Sequence, residues 1–181
     1  SALTKENVGQ NTSQHLRAWL ALYQITEKKR WLDLLRGASS AVSLDALSPE
    51  ERGERLRLCC DCWVIDAAGP FRAAANKLAA DKLSGTRAIP GLLRNWRITG
   101  ETRFRDRALA QLPTKAAESG FDEAAAFHAA YHATGDEQHL EAARAPFTDR
   151  PPTDIPLRWW PLAWDILRWD AQQVAETVAS W

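Results

Sequence analysis

The sequence predicts an all-α protein, about nine helices in repeated antiparallel hairpins forming one domain over residues 1–181, and three observations predict it. Ala, Leu, Arg, Glu and Gln fill long segments in which apolar residues recur every three to four positions, while nothing alternates with the period of two of a half-buried strand. Helix start and stop signals punctuate those segments. An aromatic-led corner then recurs along the chain: Tyr23-Gln24-Ile25-Thr26 with Trp31 eight residues after Tyr23, Trp63-Val64-Ile65-Asp66 with Phe71, Trp96-Arg97-Ile98-Thr99 with Phe104, and Tyr131-His132-Ala133-Thr134 with His139 and Leu140. The leading aromatics lie 40, 33 and 35 residues apart, so four helix-turn-helix units of variable length are expected.

The elements follow in order. The first corner separates helices over 14–26 and 28–38. The next helix, 49–67, opens on Ser48 as N-cap, Pro49 at the first helical position and Glu51 as the capping-box partner. It pairs across the second corner with 70–83. Helices over 89–99 and 102–112 flank the third corner. The fourth divides 121–134 from 137–145 at Thr134-Gly135-Asp136, where Gly suits a left-handed C-terminus and Asp caps the next start. A ninth helix, 161–179, starts at Pro161 and falls outside the pattern. In each unit the aromatic near the end of the first helix and the apolar residue in the first turn of the second pack across a tight corner, and the remaining apolar faces need neighbours.

Composition narrows the function classes. Lys+Arg and Asp+Glu number 23 each, a balance that argues against a nucleic-acid partner, since phosphate neutralisation needs a basic surplus or stripe. Arg103, Arg105 and Arg107 spread around their helix rather than forming such a stripe. A hydrophobic share of 45% with nine tryptophans argues against disorder. The apolar runs are only a few residues long, so no membrane partner is expected. Cys59, Cys60 and Cys62 lie within four residues, unlike a disulfide framework, and slightly favour the cytoplasm. Localisation is otherwise open, because Ser1 to Gln14 carries no visible signal peptide and a removed one leaves no trace. With no methionine at all, the sequence reads as a processed form or a fragment.

The stretch Ala129-Ala130-Tyr131-His132-Ala133-Thr134-Gly135-Asp136-Glu137-Gln138-His139-Leu140-Glu141-Ala142-Ala143 resembles the hairpin corner of the α/α-toroid, or six-hairpin glycosidase-like, proteins. Leu93 to Leu109, with Ile98-Thr99-Gly100-Glu101, resembles the same corner, as does His15 to Leu35, where Glu27-Lys28 replaces Gly-Asp. The second unit departs most, with Asp66-Ala67-Ala68-Gly69 at its corner. The resemblance implies a partial α/α toroid or an open helical array, about four and a half hairpins against the six of a complete toroid. It also implies that a carbohydrate substrate meets the face where the first helices start, opposite the short corners.

That face would gather Asn11 to His15, the region before Arg57, Thr86 to Arg94, Ser119 to Glu123 and Asp154 to Trp160. Helix N-termini supply free N–H donors and partial positive charge there. Trp159 and Trp160, with Arg158 and His15, are the substrate-binding candidates, because indole faces stack on the C–H surface of sugar rings. Against this, Trp160 also continues a core stripe with Trp164, Leu167, Ala171, Val174 and Val178, a stronger reading for Trp160 than for Trp159. The catalytic candidates are Asp122, Glu123 and Asp154 as acid or base with His128 as partner, since most glycoside hydrolases use two carboxylates. Asp122 reads more simply as an N-cap. Asp61 and Asp66, five apart, cannot share a helix face.

His128 and His132 are four apart and share a helix face, the geometry of a two-histidine metal pair, but the sequence offers no third ligand at known spacing. The cysteines read as buried structural residues, so neither a metal nor another cofactor is expected. Gly-x-Ser-x-Gly, Walker and Gly-x-Gly-x-x-Gly motifs are missing. Three readings result. The first is a carbohydrate-active protein, of glycoside hydrolase or polysaccharide lyase type, binding an oligosaccharide or polysaccharide at the helix N-terminal face. The second is a non-catalytic helical-repeat interaction module that associates with itself or with the remainder of a toroid. The third is a metal-dependent enzyme built on His128, His132 and a cysteine.

Overall fold

The computed structural model describes residues 13–41, 43–45, 47–114, 120–148 and 154–167. Among them the chain forms nine α-helices and no strand: α1 (Ser13–Thr26), α2 (Lys29–Ser40), α3 (Pro49–Ile65), α4 (Phe71–Ala80), α5 (Ile89–Thr99), α6 (Thr102–Leu109), α7 (Phe121–Thr134), α8 (Glu137–Thr148) and α9 (Trp160–Leu167). None of these helices is long and apolar enough to cross a membrane. The capping box forms: Ser48 Oγ accepts from Glu51 N at 3.3 Å, and Ser48 N donates to Glu51 Oε2 at 3.1 Å.

Three of the four expected corners share one hydrogen-bond pattern. The residue after the recurring Thr takes a left-handed backbone, with φ 53° at Glu27, 74° at Gly100 and 72° at Gly135. Its N–H donates to the carbonyl of the leading aromatic, Tyr23, Trp96 or Tyr131, at 2.7 Å in each case. The Thr hydroxyl donates back to the carbonyl four residues earlier, at 2.5, 2.9 and 2.9 Å for Thr26, Thr99 and Thr134. The same oxygen accepts the N–H of Lys28, Glu101 or Asp136 at 3.4, 3.3 and 3.2 Å. Each corner thus satisfies carbonyls and amides that a helix end leaves open. The second corner departs, as its sequence does: Asp66 keeps a negative φ of −137° with ψ 83°, and bonds its N–H to the Cys62 carbonyl.

Several helix ends differ from the expected ones. The third helix stops at Ile65 because Asp66 turns away and accepts from Arg36 Nε at 2.8 Å. The fourth stops at Ala80, where Asp81 turns to meet Arg52 NH1 at 2.5 Å. Arg107 of α6 then donates to the carbonyls of Asp81 and Leu83 at 2.6 and 2.8 Å, covering the C-terminal end of α4. In the other direction, α8 runs through Pro146 to Thr148 rather than ending before the proline. Pro146 lacks the N–H for that turn, yet Pro146 and Phe147 are both buried, and apolar burial holds the turn in place.

Contacts gather into two units, Ser1–Gln111 and Leu112–Trp181. In the first, α3 is central and packs on α1, α4 and α5, while α2 packs on α4. The first helices of successive hairpins therefore lie side by side, with second helices behind them. Leu16, Leu35, Leu58 and Phe71 fill the space between the first two hairpins. Asp61 pairs with Arg94 and Asp66 with Arg36, so the two carboxylates serve different neighbours, as their spacing requires. In the second unit Ala124, Phe127, Ala143, Phe147, Ala163 and Ile166 join α7, α8 and α9 around one core.

Candidate functional site

The second unit brings the starts of α7 and α9 together through aromatic contact. Phe121 opens α7 after Gly120 as N-cap, so Asp122 is not the cap but a first-turn residue beside Glu123. Both carboxylates lie where the helix N-terminus favours negative charge. The Glu123 carboxylate folds back over Gly120, where a Cβ would lie 2.9 Å from its Oε2. A 3-10 turn over Leu157–Trp159 leads into α9, which starts at Trp160 with Pro161 following. The Trp159 ring stacks on Phe121 with centroids 5.9 Å apart, and Phe121 in turn meets Phe147 at 5.3 Å.

Trp159 and Trp160 are half-buried against the core of this unit. The exposed Arg158 places its guanidinium 5.3 Å from the Trp159 ring. Trp160 Nε1 donates to the Ile155 carbonyl at 3.0 Å. The buried Trp159 Nε1 has no hydrogen-bond partner among the described residues. Asp154 is exposed just before this turn. Five of the expected residues, Asp122, Glu123, Arg158, Trp159 and Trp160, therefore belong to one neighbourhood, while exposed His15 belongs to the first unit. Asn11, Ser119, Pro151, Pro152 and the part of the expected ninth helix beyond residue 167 lie outside the described residues.

The expected α9 stripe is corrected at Trp164, which is 43% exposed. The buried positions are Ala163 and Ile166, three apart, and Trp164 falls off their face by about 100° of helix rotation.

Two turns into α7, His128 meets a second histidine and a carboxylate of α9. Its Nε2 lies 3.1 Å from His132 Nε2 and 3.3 Å from Asp165 Oδ2 on α9. The His128 and His132 rings meet edge to face, with centroids 4.4 Å apart. Only 12% of the His128 side chain is exposed, against 64% for Asp165. His128, His132 and Asp165 form a set of possible metal-ligand atoms all within 4.8 Å of one another.

The cysteines take no part in that set. All three are free and buried on α3 of the first unit. Burial pushes the Cys59 thiol up to about 11 and the Cys62 thiol up to about 12, and raises Cys60 as well. Such thiols are neutral near pH 7 and pack as small apolar groups.

Compared with protein-family models, curated proteins and solved structures, the chain matches none.

Asp165 is the residue that the sequence did not point to. The His128/His132 spacing marked one helix face, but the third donor comes from α9, which packs on α8 beside α7. The one available signal was an acidic residue inside the tryptophan-rich ninth helix.

Proposed function

We propose that the chain is a carbohydrate-active helical-hairpin protein, of glycoside hydrolase or polysaccharide lyase type, that holds an oligosaccharide where α7 and α9 begin. The observation that carries this reading is the stacking of Trp159 on Phe121, which gathers two carboxylates, a guanidinium and an indole at two adjacent helix N-termini. Sugar recognition needs that chemistry: apolar ring faces for C–H surfaces, and fixed polar groups for hydroxyls or uronate carboxylates. The Trp159 N–H, buried and without a hydrogen-bond partner among the described residues, lies at the same place. The recurring corner is the element in which the sequence resembles toroid hairpins. Hydrolysis or elimination would draw on Asp122, Glu123 and Asp154, with Arg158 binding acidic sugars.

Tryptophan fluorescence titrated with neutral and uronic-acid oligosaccharides tests the reading, followed by assay for new reducing ends or unsaturated products. A saturable change that Arg158→Ala weakens for uronic acids supports it, since Arg158 is exposed and its removal spares the core. Reducing ends would mark a hydrolase and unsaturated products a lyase. Silence across both sugar classes overturns the reading in favour of an interaction module. That second reading has its own observation: Ile25 is 80% and Val64 61% exposed, near the C-terminal ends of α1 and α3.

A further inference from the structure

His128 Nε2 faces a problem of proton number. It lies at hydrogen-bonding distance from both His132 Nε2 and Asp165 Oδ2, yet one imidazole nitrogen holds either one proton or one lone pair. With a proton it serves one neighbour well and the other poorly. With a lone pair it faces the lone pairs of the Asp165 carboxylate. A cation among the three atoms removes the conflict, because each then contributes a lone pair to the same centre.

The spacing fits such a centre. Ligand atoms about 2.0–2.1 Å from a tetrahedral ion lie about 3.3 Å from one another, and octahedral neighbours about 2.9 Å. The two separations made by His128 are 3.1 and 3.3 Å. The i, i+4 spacing on α7 holds both imidazoles on one face, and α9 delivers the carboxylate to it. Half-burial of His128 fixes the inner ligand, while the exposed His132 and Asp165 have room to adjust.

We propose that His128, His132 and Asp165 bind one divalent transition-metal ion of the zinc class. Two imidazoles with a single carboxylate suit zinc, cobalt or nickel, whereas calcium and magnesium favour all-oxygen sets. Three protein ligands at a surface leave a coordination position for water or another small oxygen ligand. The site lies further along α7 than the proposed sugar site, and its occupancy is independent of that reading.

The test titrates the metal-free protein with Co(II) alone, reading visible d–d absorption, with Zn(II) competition and calorimetry for stoichiometry. One equivalent binds, and Zn(II) displaces it. His132→Ala and Asp165→Asn each weaken binding by at least about tenfold. Both substitutions are at exposed positions, and far-ultraviolet circular dichroism confirms that the helices persist. His139→Ala, at a ring that packs on Phe127, leaves binding unchanged. No binding by the parent chain overturns the proposal. So does an Asp165→Asn affinity equal to the parent's, which would reduce the site to a bare histidine pair.

Discussion

Gly53 and Gly91 meet backbone to backbone where α3 crosses α5. A Cβ on Gly91 would lie 2.5 Å from the Gly53 carbonyl oxygen, and one on Gly53 would lie 2.6 Å from Ala88 Cα. Both glycines are buried inside helices, where Gly costs about 1 kcal/mol relative to Ala, so the crossing is what they serve. Gly53→Ala and Gly91→Ala are each expected to destabilise the protein by about 1–3 kcal/mol, because the clashing atoms are backbone and have no rotamer to yield. Urea denaturation measures this as a lowered midpoint. An unchanged midpoint would mean that the two helices do not cross this closely.

The shared corner makes a prediction with opposite signs at equivalent positions. Glu27 holds φ 53° where the other two corners have glycine, and a left-handed backbone costs an L-residue roughly 1–2 kcal/mol. Glu27→Gly is therefore expected to raise stability by about 1 kcal/mol, allowing for the greater chain entropy of glycine. Gly100→Ala and Gly135→Ala are expected to lower it by about 1–2 kcal/mol from backbone strain alone. A Cβ there would meet nothing within 4 Å. Thermal or urea unfolding of the three variants decides whether the corner geometry is shared.

The corners were legible because their chemistry is local. A Thr hydroxyl reaching back four residues and a left-handed residue after it are fixed by neighbours within one turn, so Thr26, Thr99 and Thr134 announce the same structure in sequence. The end of α8 was less legible, because Pro146 argues for a stop while the burial of Phe147, 1% exposed, argues for another turn, and only packing shows which effect wins. Trp164 shows the same competition: a stripe of period 3.6 can be drawn through Trp160 and Trp164, but the core selects the face through Ala163 and Ile166. The expected helix-start face reached from His15 to Trp160, whereas the observed neighbourhood is the smaller one where Phe121 meets Trp159. The Phe121 contact that assembles it, and the Asp165 contact to His128, depend on α7–α9 register, which no local pattern encodes.

Acid stability follows from two carboxylates. Hydrogen bonding from Arg36, aided by its charge, holds Asp66 below its usual range, and Arg52 does the same for Asp81. A carboxyl depressed in the folded state stabilises that state fully above its unfolded pKa of about 3.9, and the contribution is lost as pH falls through the folded value. The urea midpoint is thus expected to fall as pH drops below about 4. In the Asp66→Asn/Asp81→Asn double variant, midpoints measured at pH 6 and pH 3 are expected to differ less than in the parent. Equal pH dependence in both proteins would remove these pairs from the account.

Cysteine labelling reads the interior of the first unit. Cys59, Cys60 and Cys62 are each no more than 2% exposed, and burial raises all three thiols. Native protein at pH 8 is expected to leave Ellman's reagent unreacted on a scale of minutes, and to release three equivalents once unfolded in guanidinium. The slow native reaction then reports opening of the α3 face. When reclosing is faster than labelling, its rate tracks the population of the open form. Gly53→Ala, on the same helix, should therefore accelerate labelling by the factor that its loss of stability predicts. Acceleration without loss of stability would place the opening in a smaller part of the fold than the crossing of α3 and α5.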